Sequence, residues 1–172
     1  MSSPQSAQHA SVAFLLAQVG ASAAREFTKA LTPLNFSPPE AGILRLLGRS
    51  PGIIQQELAK RLDMHASRLV AVIDELEKRG LVARETNPAD RRVYSLRLTQ
   101  TGIDALAAIG AVARTHNEAI CNGLDDGERL QLAALLGKIA EQQGLTPGVH
   151  PGYQELQMRG GATARTEPRT PE

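Results

Sequence analysis

The chain has 172 residues, 42% hydrophobic and 22% charged, with a net charge of +1, a balance that indicates a folded domain and excludes a largely disordered chain. Because aromatic residues make up only 3% and Trp is absent, the core is expected to consist of Leu, Ile, Val and Ala, which favours a mainly helical fold. A single Cys excludes an internal disulfide, and no apolar run reaches the roughly 20 residues of a membrane helix. The polar N-terminal segment lacks the basic region of a secretory signal. We therefore expect a cytoplasmic protein.

The first part of the chain predicts two helices. Apolar residues recur at spacings of three and four over residues 10–31, which is the helical period. A second helix is predicted to begin at Ser37, because its hydroxyl can accept a free N–H group, Pro38 loses no hydrogen bond there, and Glu40 completes a capping box. This helix is predicted to run to about Leu47.

Two shorter helices are predicted next. The third covers residues 53–62, and the fourth covers residues 66–79 after a tight turn. One face of the fourth helix is apolar, and it consists of Leu69, Val72, Ile73 and Leu76. Gly80 suits the end of this helix, because glycine readily adopts the left-handed conformation that often follows a last helical turn.

The periodicity then changes to two, which predicts a β-hairpin. Its strands are expected at 81–83 and 93–98, and the segment between them is rich in turn-forming residues and ends in two arginines. The hairpin therefore has a basic, exposed tip.

Two further helices are predicted in the last part of the chain. Thr99 can cap a fifth helix that runs to about Asn122, and Asp125 with Glu128 forms a second capping box at the start of a sixth helix that ends near Gly144. Residues 145–172 are rich in Pro and Gly and poor in large apolar side chains, which predicts a disordered tail.

The order of short helix, tight turn, helix and two-stranded hairpin is that of a winged helix-turn-helix. A helix fits the major groove of B-DNA, and a hairpin beside it can reach the neighbouring backbone or minor groove. Both elements lie within residues 60–97, which carry nine basic and six acidic groups, whereas residues 98–145 carry three basic and six acidic groups. The near-neutral total therefore hides a basic end that would attract DNA.

Four segments of this region form a recognisable set. In chain order they read QELA at 56–59, IDELEKRGLVAR at 73–84, NPADRR at 87–92 and LRLTQTG at 96–102. At this order and spacing the set resembles the MarR (multiple antibiotic resistance regulator) family of transcription factors. The resemblance covers residues 10–144 and implies a mainly α winged helix-turn-helix with about six helices and a two-stranded β-wing. Its winged helix-turn-helix core is expected at about 36–99, and residues 1–9, before the domain, are expected to be flexible.

The resemblance also implies a homodimer, in which helices at 10–31 and 100–144 of two chains interlock. A two-fold dimer reads a pseudo-palindromic site whose halves lie about 34–36 Å apart on double-stranded DNA. The alternative is that these helices pack within one monomer, but this leaves too much apolar surface exposed. We therefore expect a homodimeric DNA-binding regulator that represses transcription.

The exposed face of the fourth helix supplies the predicted base contacts. The first turns of a recognition helix make most groove contacts, so the candidates are His65, Ser67, Arg68 and Ala71. Arg68 can form two hydrogen bonds with guanine, and Ala71 can contact a thymine methyl group. Alternatively, Arg68 is a solvated charge paired with Asp63, and His65 is a turn residue. Val70 stands where the family usually has Ser or Thr, so the base preference is not predicted.

The family pattern assigns further contacts to the wing. It implies that Arg91 or Arg92 reaches the minor groove or the phosphates, while Asp90 holds the hairpin through ion pairing. Arg84, at the base of the wing, is a further phosphate candidate. The alternative for all of these is a solvated hairpin that does not touch DNA.

The family commonly binds small aromatic or phenolic anions in the crevice between the dimer helices and the winged domain. Such an effector would shift the spacing of the two recognition helices and release the DNA. Phe14, Arg25, Phe27 and Phe36 are candidate pocket residues, although each is an equally good core or interface residue. The identity of the effector is not predicted.

Other functions have less support in the sequence. There is no Gly-rich phosphate loop and no nucleophile with a base at a known spacing, so we expect neither an enzyme nor a cofactor. His116 is interpreted as an interface residue rather than a metal ligand, and Cys121 as a packing residue, because nearby carboxylates disfavour a reactive thiolate. The alternatives are a winged-helix module that binds protein, against which the basic recognition segment argues, and a redox- or metal-responsive regulator.

Overall fold

The computed structural model describes residues 11–86, 93–146 and 149. Six α-helices, one 3-10 helix and three β-strands make up this part of the chain: α1 (Val12–Leu31), the 3-10 helix (Thr32–Leu34), α2 (Pro38–Arg49), β1 (Ile53–Ile54), α3 (Gln55–Arg61), α4 (Ala66–Lys78), β2 (Val82–Thr86), β3 (Tyr94–Leu98), α5 (Gln100–Ile120) and α6 (Asp126–Gln142). The predicted mainly α winged helix-turn-helix is confirmed. The predicted flexible start, the wing tip and nearly all of the predicted tail lie outside the described residues.

Side-chain caps lie at the helix N-termini where the sequence predicts such caps. The Oγ of Ser37 accepts a hydrogen bond from the Glu40 N–H, and the Glu40 carboxylate accepts one from the Ser37 N–H at 2.7 Å, so the first capping box is confirmed. The second box is confirmed between Asp125 and Glu128, at 2.9 Å in both directions. Each box satisfies two N–H groups that have no partner within the helix.

The sheet contains one strand more than the sequence analysis predicts. Ile53 and Ile54, which were expected to begin the third helix, form the short strand β1, which pairs antiparallel with β3, and the strand order is β1-β3-β2. Ile53 lies opposite Leu96 and both side chains are buried. The prediction is wrong here because β-branched side chains suit a half-buried sheet edge and offer no capping group to a helix.

The core lies within the winged domain and is built almost entirely from aliphatic side chains. The largest fully buried residues come from the end of α1, from α2, α3 and α4, from the turn after α3 and from the sheet, and they are Leu31, Ile43, Leu44, Leu47, Leu58, Leu62, Leu69, Ile73, Leu76, Val82 and Leu96. This composition agrees with the low aromatic content of the sequence.

A close approach of two backbone segments joins the wing to α5. A Cβ built on Gly102 would lie 2.0 Å from the carbonyl oxygen of Leu81, so only glycine fits there. The same carbonyl accepts a hydrogen bond from the Thr99 N–H at 3.1 Å, and the Thr99 hydroxyl donates one to the Gly80 carbonyl at 2.6 Å. The backbone between α4 and β2 therefore fixes where α5 begins.

The outer helices leave a large apolar surface uncovered. In α6, no residue is buried, and its exposed side chains include Leu130, Leu132, Leu135, Leu136 and Ile139. The first half of α1 is similar, with Val12, Phe14, Leu15, Leu16 and Val19 exposed. Among the described residues, no helix is long and apolar enough to span a membrane.

Replacing Gly102 with Ala should destabilise the fold, because the new Cβ would overlap a backbone carbonyl that cannot move without breaking the hydrogen bond from Thr99. We expect the free energy of unfolding to fall by about 1–3 kcal/mol or more, as measured by urea denaturation at fixed protein concentration. Gly110→Ala in the same helix is the matched control, because its Cβ would lie 3.5 Å from a flexible arginine. Equal stability of the two variants would contradict the assigned role of Gly102.

Candidate nucleic-acid interface

Helix α4 buries one apolar face and exposes the opposite face to solvent. Leu69, Ile73 and Leu76 are fully buried on the inner side. Ser67 and Ala71 lie on the opposite side and are exposed. The inner residues anchor the helix in the core, so the outer face is a rigid surface that can enter a groove of DNA.

A tight turn sets α3 against α4. Asp63 adopts the left-handed conformation with a φ of 48°, which a short polar side chain tolerates better than most. The N–H of Met64 donates to the Ala59 carbonyl at 3.0 Å, and the Met64 side chain is buried. His65 then takes the cap position of α4. This is the geometry of a helix-turn-helix.

The structure places the four predicted base-contact residues together at the start of α4. His65 is exposed at the cap and its side chain makes no capping hydrogen bond. Ser67 and Ala71 are exposed and Arg68 is half-buried. In the described part of the chain, no carboxylate lies within salt-bridge distance of Arg68. The contact of these four residues with DNA stays a prediction.

Val70 also belongs to this surface, although it is not among the contact candidates predicted from the sequence. Its side chain is 38% exposed, in contrast to the fully buried Leu69 beside it. It lies three positions after Ser67 and four before Asp74, so the three residues share one stripe of the helix. Helical spacing was the available signal, but a valine in an amphipathic helix is usually assigned to the core.

Arg84 lies at the base of the wing, as predicted, and its guanidinium binds side chains within the protein. Its side chain is only 16% exposed, and its guanidinium forms ion pairs with Asp74 and Glu77 of α4. It also donates to the Gln55 side chain at 3.2 Å. Three of the five N–H groups of this guanidinium thus bind within the protein, and the predicted phosphate contact of Arg84 stays a prediction.

The environment keeps Arg84 charged. Burial by itself would lower the pKa of Arg84, but hydrogen bonds and charge attraction from Asp74 and Glu77 outweigh it and raise the pKa above its ordinary value. The interaction therefore partly neutralises two carboxylates on the helix that would face DNA.

The two strands of the wing, β2 and β3, pair antiparallel. Arg97 and Glu85 form an exposed ion pair across them at 2.7 Å. Asp90, Arg91 and Arg92 lie outside the described residues, so their roles in the wing stay predictions.

The candidate effector residues lie in different surroundings. Phe14 is 60% exposed on α1 and Arg25 is also exposed. Phe27 packs on the His116 ring of α5 with centroids 5.3 Å apart. Phe36 lies beneath the guanidinium of Arg79, 4.4 Å from its ring centre, beside a cleft of about 480 Å³. Of the four candidates, only Phe36 lines this cleft.

The described residues include one cysteine and no cluster of metal-binding side chains. No group of three His, Cys, Asp or Glu side chains within 11–86, 93–146 and 149 is arranged to hold a metal ion. Cys121 is half-buried at the end of α5 and forms no disulfide.

Comparison with known proteins agrees with this geometry. The family model described as "MarR family" matches residues 34–93, which run from before α2 to just before β3. A proposed transcriptional regulatory protein for the hcr operon of Thauera aromatica is 35% identical over 124 residues, which are 72% of this chain and 75% of that protein. The HTH-type transcriptional repressor Rv2887 of Mycobacterium tuberculosis is 30% identical over 133 residues, 77% of this chain and 96% of that protein.

Solved structures give the same result. The Mycobacterium tuberculosis MarR family protein Rv2887, in complex with DNA, superposes with a TM-score of 0.65 at 29% identity and covers 76% of this chain and 98% of its own. The transcriptional repressor CouR, bound to a 23-mer DNA duplex, superposes with a TM-score of 0.69 at 28% identity and covers 81% and 98%. By sequence and by fold, this chain belongs to the MarR family of transcriptional regulators.

Proposed function

We propose that this protein is a cytoplasmic DNA-binding transcriptional regulator, rather than an enzyme, and that it acts as a homodimeric repressor. The observation that carries the proposal is the start of α4, where exposed residues form a groove-sized surface beside a wing. The relatives named above as repressors, and those solved with DNA, support the same role. Release of DNA by a small aromatic or phenolic effector is part of the proposal and rests on the family resemblance.

The uncovered apolar surface supports the homodimer. An isolated helix of about 15 residues is marginal in water, so α6, with no buried residue, needs a partner. Its leucines at positions 132, 135 and 136 and Ile139 form a stripe at helical spacing. A second copy would cover this stripe together with the exposed half of α1. The dimer then presents two α4 helices to successive turns of the major groove.

The composition of the α4 surface supports a specific mode of base recognition. Val70 and Ala71 present methyl groups, which can contact the 5-methyl group of thymine. Arg68 can form two hydrogen bonds with guanine or bind a phosphate. We propose that Val70 and Ala71 select for A·T pairs at the positions they face, while the arginines of the wing contribute affinity.

The dimer proposal predicts that Leu135→Glu weakens self-association, because the new carboxylate would be buried in an apolar interface. We expect the dimer dissociation constant, measured by sedimentation equilibrium, to rise at least about tenfold. Ala134→Glu is the control, since it adds the same charge to an exposed residue of α6 that is not three or four positions from any residue of the stripe. If Leu135→Glu stays dimeric at the same concentrations, α6 does not form the interface.

The wing proposal predicts that Arg91→Ala or Arg92→Ala weakens binding to all DNA sequences. For each phosphate that the variant no longer binds, the slope of log K against log salt should fall by about one. Gel-shift titrations over a series of salt concentrations measure this slope. An unchanged slope in both variants would exclude the wing from the interface.

The base-recognition proposal is tested by selecting duplexes from a random library. The parent protein should enrich a pseudo-palindrome, and failure to enrich any motif would contradict the proposed function itself. Replacing the thymine opposite Val70 with deoxyuridine removes one methyl group, which should cost about 0.8 kcal/mol, or about fourfold in affinity. Val70→Ala should lose this sensitivity, whereas equal sensitivity in both proteins would exclude the contact.

A further inference from the structure

Three elements of the winged helix-turn-helix meet at one side chain. Arg84 belongs to β2, at the base of the wing, and is paired with Leu96 of the central strand. Its Nη2 donates to Asp74 Oδ1 at 2.6 Å, and its Nη1 donates to Glu77 Oε2. Its Nε donates to the Oε1 of Gln55, the first residue of α3, at 3.2 Å. One guanidinium thus joins the wing, the recognition helix and the supporting helix.

The geometry of this junction restricts orientation as well as distance. A guanidinium is planar and presents its donors in a fixed fork, so three acceptors in different directions define how it lies. The backbone N–H of Arg84 also donates to Glu77 Oε1 at 3.2 Å. Both the backbone and the side chain of this β2 residue are therefore tied to α4, and the angle between strand and helix is fixed at the root of the wing.

The other ion pair of the described wing acts differently. Arg97 and Glu85 connect β2 with β3, and their side chains are 51% and 55% exposed. Such an exposed pair contributes little to stability and cannot set the angle between the wing and α4. Arg97 is therefore a control residue with the same charge as Arg84 and no link to the recognition helix.

We infer that Arg84 is a positioning residue for DNA binding, an inference that rests on the proposed function. It holds the wing at the angle from which the tip reaches the DNA when α4 lies in the major groove. It also neutralises Asp74 and Glu77, which would otherwise repel the phosphates beside that groove. Its effect on DNA passes through these two carboxylates and not through a contact of its own.

If Arg84 positions the wing, removing the carboxylates that it binds should change DNA affinity in the direction opposite to that expected from net charge. Removing two carboxylates from a DNA-binding helix should strengthen binding if charge alone matters. It should also strengthen binding if it frees Arg84 to contact a phosphate. If Arg84 is a positioning residue, the same change releases the root of the wing and weakens binding.

The experiment compares the parent with the double variant Asp74→Asn/Glu77→Gln on the selected duplex. We expect at least about fivefold weaker binding by fluorescence anisotropy near 0.15 M salt, the cost of about one phosphate contact. Glu75→Gln, on the same helix without a contact to Arg84, should bind as tightly as the parent or more tightly. Arg97→Ala, which breaks only the pair within the wing, should keep the parent footprint.

Footprinting separates positioning from a general loss of structure. In the double variant, hydroxyl-radical protection where the wing meets the DNA should disappear. Protection of guanine N7 from dimethyl sulphate in the major groove, under α4, should remain. Thermal unfolding and sedimentation of each variant establish that the dimer is intact. Equal or tighter binding of the double variant with the parent footprint would overturn the inference.

Arg84→Lys provides a second test that does not depend on the stability of the double variant. Lysine keeps the positive charge but cannot reach Gln55, Asp74 and Glu77 together. We expect the same loss of wing protection, with the major-groove protection kept. A parent-like footprint for Arg84→Lys would mean that one positive charge is sufficient, and it would overturn the inference. If the parent protein itself selects no duplex, the proposed function fails instead.

Discussion

The arrangement of the whole molecule depends on one place where two backbone segments touch. Gly102 lies directly against the Leu81 carbonyl, and Thr99 binds both that carbonyl and the one before it. Since α5 begins here, its direction is determined by the end of α4 and the start of the wing. The close contact and the hydrogen bonds therefore connect the outer helix α5 directly to the winged domain.

The recognition helix has to satisfy opposing requirements. Its inner face needs large aliphatic side chains, while its outer face needs groups compatible with a polyanion. Yet α4 carries three carboxylates, at positions 74, 75 and 77. Two of them are paired with Arg84, and at the far end Arg79 joins Glu40 of α2 while it covers Phe36. Asp74 and Glu77 thus bind within the protein, whereas His65, Ser67 and Ala71 at the start of the helix are exposed.

Local signals made most of the fold predictable. The caps at Ser37, Thr99 and Asp125 and the glycine after α4 depend on residues within four positions of one another, so their patterns are visible in the sequence. Strand β1 was missed because its partner, Leu96, lies far along the chain. The ion pairs of Arg84 were missed for a different reason: Glu77 and Asp74 lie only seven and ten positions before it, but they stand on a helix and Arg84 stands on a strand, so no local spacing pattern links them.

The lack of any buried residue in α6 has a consequence for how the protein behaves at low abundance. If a second chain supplies the missing contacts, then the order of α6 and the association of two chains are one equilibrium, governed by mass action. Dilution would then unravel the helix as well as separate the subunits. The concentration of the protein in the cell would set how much of it is dimeric and able to bind DNA. DNA that carries both half-sites would favour the dimer, because it holds two chains together.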